Sequence, residues 1–269
     1  MKRVMLYFGS FNPVHNGHIA LAEYVLDQAL CDEVVLIVSP QSPYKQTTEM
    51  AAEMDRFEMA EMACAASRYP DRIKASVVEF LLSKPSYTID TLRYLTTNHG
   101  SQMQFSILMG ADQIAGLSGW KEYEKLLEYP IFVYPRRDEP VDALPAGATL
   151  LAEAPLQDVS STEIRARIGR GEEVSQLLNA DVVAHICRKD LWSLSDRIAT
   201  LTAQITANPN NAPLYVERGK LHYSRNEWGA ALNDFNRTLE LDAFHAEAQQ
   251  YVEMVQEILA FRYKDIYNP

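Results

Sequence analysis

The apolar positions of this chain change period along its length. Residues 4–8 form an unbroken apolar run of strand length, and residues 19–30 then repeat their apolar side chains at helical spacing. A second run at 33–38 closes in Ser39-Pro40 and a polar stretch to residue 50, after which 51–66 is helical in pattern. Residues 72–78 read as a third strand, 88–98 as a helix, and 104–109 and 131–134 as two more buried strands. Strands alternating with helices of about a dozen residues predict βαβ units, hence an α/β fold with a parallel sheet and helices on both faces. From Ser195 onward only helical spacing continues.

In such a sheet the ligand crevice lies beyond the carboxyl ends of the strands, so the loops there should carry the chemistry. The first is Gly9-Ser10-Phe11-Asn12-Pro13-Val14-His15-Asn16-Gly17-His18, set between strand and helix, where backbone N–H groups and the helix dipole favour an anion. Gly9 allows close backbone approach, and His15 and His18, three apart on the first helical turn, can present both imidazoles to one phosphate. Taken alone, a His-x-x-His pair serves as readily to cap or decorate a helix, and zinc lacks a nearby third ligand. Lys45, in the loop after the second run, is either a point charge for a triphosphate or an exposed lysine. Asp112, in Gly110-Ala111-Asp112, can accept from ribose hydroxyls or cap the following turn. Trp120, flanked by Gly119 and Lys121, is either a stacking surface or a packed tryptophan. Ser160-Ser161-Thr162-Glu163 has the form of a capping box, and the helix it opens can also bind phosphate, with Arg165 as a forked donor.

Composition narrows the classes. At 269 residues, 47% hydrophobic, the chain can build one large domain and a smaller one. A net charge of −11 argues against a nucleic-acid partner, which needs a broad basic surface. Cys31, Cys64 and Cys187 are odd in number and far apart, which favours buried, reduced thiols over a disulfide framework or a zinc site. No signal peptide or membrane span fits, so a cytoplasmic protein without a membrane partner is expected.

The ten-residue loop resembles the T/S-F-x-P-x-H-x-G-H signature of the nucleotidyltransferase superfamily, with His15-Asn16-Gly17-His18 as its H-x-G-H core. Pro85-Ser86-Tyr87-Thr88-Ile89-Asp90-Thr91-Leu92 is similar to the P-S-Y-T-x-D/Q-T-L stretch of bacterial nicotinate-nucleotide adenylyltransferases, and Ser160 to Arg165 to their Ser-Thr-x-x-Arg helix. The resemblance covers residues 3–190. It implies a Rossmann-like doubly wound sheet and adenylyl transfer from ATP, with Mg2+ carried on it, to nicotinate mononucleotide, giving deamido-NAD and pyrophosphate. It further implies catalytic roles for His15, His18, Lys45 and Arg165, and ATP contacts from Gly9, Ser10, Phe11, Gly110, Asp112, Ser161 and Thr162. The acceptor would meet Tyr87, Thr88, Asp90, Trp120, Lys121 and Arg136. Where many members read R-R-P-G, this chain has Arg136-Arg137-Asp138-Glu139-Pro140, so Arg136 is either a phosphate contact or a surface residue. Sister chemistry on nicotinamide mononucleotide or phosphopantetheine is the near alternative; a protein working mainly through its helical tail is the distant one.

Residues 212–245 fit the 34-residue tetratricopeptide template, with Tyr215, Gly219, Trp228, Ala231 and Phe235 at its packing positions. Arg218 and His222 replace its leucine and tyrosine. One repeat cannot bury its own faces. Helices at 196–207 and 246–263, the catalytic domain or a second subunit must therefore complete the core. The expected division is a nucleotidyltransferase domain at 1–190 and a small all-α, tetratricopeptide-like domain at 195–269, the latter used for packing, self-association or docking of a protein partner.

Overall fold

The computed structural model describes residues 1–40, 50–136, 144–155 and 159–266. Six strands, β1 (Lys2–Gly9), β2 (Glu33–Val38), β3 (Ile73–Ser76), β4 (Met103–Gly110), β5 (Ile131–Tyr134) and β6 (Ala148–Leu150), form one sheet in the order β3-β2-β1-β4-β5-β6. Every pairing is parallel. The order reverses between β1 and β4, and at such a switch point the crevice opens beyond the strand ends. That end of the sheet carries the loops after Gly9, Val38 and Gly110.

The crossover helices are α1 (Asn16–Asp27), α2 (Glu53–Ala65) and α3 (Thr88–His99); α4 (Tyr123–Leu126), α5 (Ser161–Gly169) and α6 (Ala180–Lys189) come after them. Val4, Leu6, Ile107, Met109, Ile131 and Val133 of the central strands share one core with Ile89 and Leu92 of α3. Their apolar runs have little alternation because both faces of a parallel sheet are covered.

The third strand is shorter than the apolar pattern predicts. Among the described residues β3 pairs with β2 alone, over Ile73–Ser76. The Ser76 hydroxyl accepts from the Val78 N–H at 3.2 Å, and the chain turns into a 3-10 helix over Val78–Leu81. Val78 still reaches the core, as part of that turn.

Contacts divide the chain into two compact units, Met1–Ile168 with Glu172–Lys189, and Gly169–Gly171 with Asp190–Pro269. The second contains α7 (Leu194–Ala207), α8 (Ala212–Ser224), α9 (Trp228–Leu241) and α10 (Ala246–Ile266). Val216, Ala231, Phe235 and Ala248 form its core. A Cβ on Gly219 would sit 2.7 Å from the Phe235 ring, so glycine is what lets α8 and α9 meet. Arg218 holds the buried Asp234 carboxylate with two donors at 2.8 and 2.6 Å, a polar replacement for an apolar contact. From α10, Ala248 fills the core and Tyr251 stacks on Phe235 at 4.8 Å, while α7 buries Leu201 and Ile205. Flanking helices thus supply the cover that one repeat lacks. Among the described residues no helix is long and apolar enough to cross a membrane.

Candidate active site

β1 ends at Gly9, and the chain tucks Phe11 beneath it. A Cβ at Gly9 would lie 3.0 Å from the Phe11 ring. Phe11 has φ +45°, a left-handed conformation costly for a bulky residue, and is only 2% exposed. Its ring meets Tyr7 edge-on at 5.5 Å and His18 at 5.1 Å. Tertiary hydrogen bonds hold Asn12 and Pro13, the next two residues. The buried Arg165 donates Nη1 to the Asn12 carbonyl at 2.9 Å, and Ser161 Oγ donates to the Pro13 carbonyl at 2.9 Å. The Ala51 N–H, ahead of α2, donates to Asn12 Oδ1 at 3.0 Å.

His15 is the N-cap of α1 and His18 its third residue. Their rings stack, centroids 3.6 Å apart. The His15 backbone N–H donates to His18 Nδ1 at 3.1 Å, which makes that nitrogen an acceptor. In a neutral His18 ring the proton is therefore on Nε2, which makes that nitrogen a donor. His15 is buried, and desolvation, with the Arg136 charge nearby, lowers its pKa from 6.5 to about 4.

The depressed pKa has a stability consequence. Between pH 6.5 and 4 the unfolded imidazole takes up a proton that the folded one refuses. Stability contributed by His15 is thus complete above 6.5 and is lost as pH falls through 4. A shift of this size corresponds to roughly 3 kcal/mol. Urea unfolding at pH 7 and pH 4.5 should show His15→Gln losing less stability on acidification than the wild type; equal losses would contradict the assignment.

Tyr7 and Tyr134 share a buried hydroxyl contact of 3.1 Å behind the histidines. The Arg136 guanidinium lies 5.8 Å from the Tyr134 ring centre, and its Nε is 3.3 Å from Asp112 Oδ1. Arg136 therefore faces the site rather than open surface. Asp112 lies inside the 3-10 turn Ala111–Gln113, without a side-chain cap, and folds back over Gly110, where a Cβ would come within 2.2 Å of Oδ1.

A cavity of about 410 Å³ opens beside this loop and shares Gly9 and Ser10 with it. Tyr87, Thr88, Trp120 and Lys121 line its far wall, with Asp112 at the near one. Lys121 Nζ is 2.7 Å from Asp90 and 4.8 Å from the Tyr87 ring centre, so these three form one rim and the two charges offset each other. Just ahead of α5, Ser160 Oγ accepts from the Glu163 N–H at 3.1 Å, while Thr162 is exposed. Lys45 and Arg137 lie outside the described residues.

Comparison with known proteins gives the family. Residues 6–167 match the cytidylyltransferase-like family model. A probable nicotinate-nucleotide adenylyltransferase of Cytophaga hutchinsonii is 35% identical over 193 residues, 71% of this chain and 98% of its own length. The chain belongs to the nicotinate-nucleotide adenylyltransferase family. Another member, from Porphyromonas gingivalis, is 36% identical over 66% of this chain and 92% of its own. A solved Plasmodium falciparum nicotinic acid mononucleotide adenylyltransferase, described as complexed with NaAD, shares the fold: TM-score 0.61 at 18% identity over 71% of this chain and 98% of that one.

Two buried residues of this family member escape a reading of the sequence. Glu79, 2% exposed, lines the cavity; Thr91 Oγ1 donates to its Oε1 at 3.0 Å, and burial raises its pKa. Its signal was a lone acid inside the apolar Val77-Val78-Glu79-Phe80-Leu81 run. The other is Arg56, which falls on the stripe of Met59, Ala60 and Ala63 that α2 buries. A charge at a core-facing helical position was the sign.

Proposed function

We propose that this protein transfers the adenylyl group of Mg2+-bound ATP to nicotinate mononucleotide. A phosphate oxygen of the mononucleotide attacks the α-phosphorus in line. A new P–O bond forms, the bond to the β-phosphate oxygen breaks, and pyrophosphate leaves, with no covalent enzyme intermediate. The protein's part is positioning and stabilisation of charge on the transferring group. His18 donates Nε2–H to an α-phosphate oxygen and His15 flanks it. Gly9, Ser10 and the start of α5, through Ser161 and Thr162, offer backbone and hydroxyl donors to the polyphosphate. Asp112 receives the ribose, Lys45 and Arg165 meet the charge developing toward the departing pyrophosphate, and Arg165 also keeps the loop in shape from beneath. The pyridine enters the cavity against Trp120, bounded by Tyr87 and Thr88, with Asp90 and Lys121 closing the rim and Arg136 near the mononucleotide phosphate.

The observation that carries this reading is the stacked imidazole pair, one ring nitrogen held as an acceptor so that the other can donate, beside a cavity with an aromatic wall. Chemistry belongs to residues 1–190, in a cytoplasmic setting where ATP is made; residues 195–269 serve as a tetratricopeptide-like packing or self-association unit. Pyrophosphate release should be measured with nicotinate mononucleotide, nicotinamide mononucleotide and phosphopantetheine side by side. The first is expected to win in kcat/KM by about tenfold or more over the second, as hydrogen-bond readout of an acid against an amide allows. Faster turnover of phosphopantetheine, or none with any acceptor, would overturn the assignment.

A further inference from the structure

Arg56 is the largest fully buried side chain among the described residues, with 0% exposure. Among the described residues no carboxylate hydrogen-bonds it. Its donors go to backbone carbonyls instead: Nη1 to Ser10 at 2.7 Å and Ser39 at 2.7 Å, Nη2 to Pro40 at 3.1 Å, and Nε to Ala51 at 3.1 Å. These acceptors belong to three places in the fold: the loop after β1, the end of β2, and the residue ahead of α2. Ser10 and Ser39 also line the cavity. The same strand ends are joined directly where the Ser39 N–H donates to the Gly9 carbonyl at 2.9 Å.

Only a guanidinium suits this cage. Its planar fork can address several carbonyls at once, whereas an ammonium has three donors at a single point. The helix carrying Arg56 is itself fixed. Its neighbour Asp55 lies 3.1 Å from Nε2 of the fully buried His185 and 3.2 Å from Lys189 Nζ, both on α6. α2 is thus a post, braced from α6, from which Arg56 reaches the switch-point loops.

We propose that Arg56 is a positioning residue for adenylyl transfer: its fork fixes the Ser10 turn relative to Ser39-Pro40, so that the loop leading to His15 and His18 is in place before nucleotide binds. This rests on the function proposed above, for which the loop must be preorganised.

Three measurements test it. Arg56→Lys keeps the charge but cannot span the four carbonyls. It should remain folded yet lose kcat by about 10- to 100-fold with little change in the KM for ATP, the range that a misplacement of about 1 Å produces. Arg56→Ala leaves a guanidinium-sized gap, and millimolar guanidinium should restore several-fold of the lost kcat where equal sodium chloride restores none. Independently of activity, hydrogen exchange in Arg56→Lys should quicken in peptides covering 8–14 and 36–40 but not 103–110. Should Arg56→Ala fail to fold, the lysine variant decides. Wild-type kcat in Arg56→Lys, or unchanged exchange in those peptides, overturns the proposal. A wild type without turnover would sink the functional reading instead, leaving the exchange experiment to judge Arg56.

Discussion

His18→Ala is expected to lower kcat by about 10²- to 10³-fold, the usual loss when one preorganised donor to a developing charge is removed. ATP affinity should move far less. The reason lies in how the ring is held: the His15 N–H fixes Nδ1 as an acceptor, so Nε2 of the neutral ring is committed as a donor. In the proposed binding mode ground-state ATP has other partners along the Gly9–Ser10 backbone and α5, whereas the donor gains strength only as charge builds on the α-phosphate. Steady-state pyrophosphate release combined with calorimetric ATP binding separates the two quantities. A variant with full turnover would remove the histidine from the mechanism; one that loses ATP binding and kcat/KM together at unchanged kcat would make it a binding residue. His18→Asn, which can keep a donor, should recover part of the loss.

The largest expected effect on stability is in the other unit. Phe235 is fully buried, stacked on Tyr251 at 4.8 Å and seated over Gly219. Phe235→Ala should cost the helical unit about 3–5 kcal/mol, since its surroundings cannot close over the gap. In a unit of this size that lowers the midpoint by on the order of 15 °C or more. Scanning calorimetry should show one transition shifted and another in place. Catalysis at 25 °C should stay within about twofold, because the proposed chemistry draws on residues 1–190 alone. A parallel collapse of kcat would place the helical tail within the catalytic machinery. An unmoved calorimetric profile would refute the packing described for α8, α9 and α10.

Much of the architecture was readable because burial on both faces of a parallel sheet leaves a plain mark. β2 and β5 span the same residues as their apolar runs, and β1 and β4 differ from theirs only at the ends. β6, three residues long and half out of the core at the sheet edge, left no comparable run, and β3 was cut short where the Ser76 hydroxyl turned the chain. α6 passed unread although Val182, His185 and Ile186 line its buried face, and Cys187, expected to be buried, lies exposed on it, whereas Cys31 and Cys64 are buried. The tetratricopeptide spacing located Gly219, Ala231 and Phe235, since the close approach of two helices requires small residues at regular intervals.

The order of residues by itself determined the βα alternation, the break into a helical tail, and the chemical identity of the histidine pair. These depend on local period and on a motif of ten neighbours. Only the tertiary structure decided which His18 nitrogen donates, that Arg165 grips the Asn12 carbonyl, that Arg136 stands between Asp112 and the tyrosine pair, and that Arg56 gathers four carbonyls. Except for the histidine contact, each joins groups brought together by the crossing of strands, and hydrogen bonds between segments distant along the chain leave no periodicity to read.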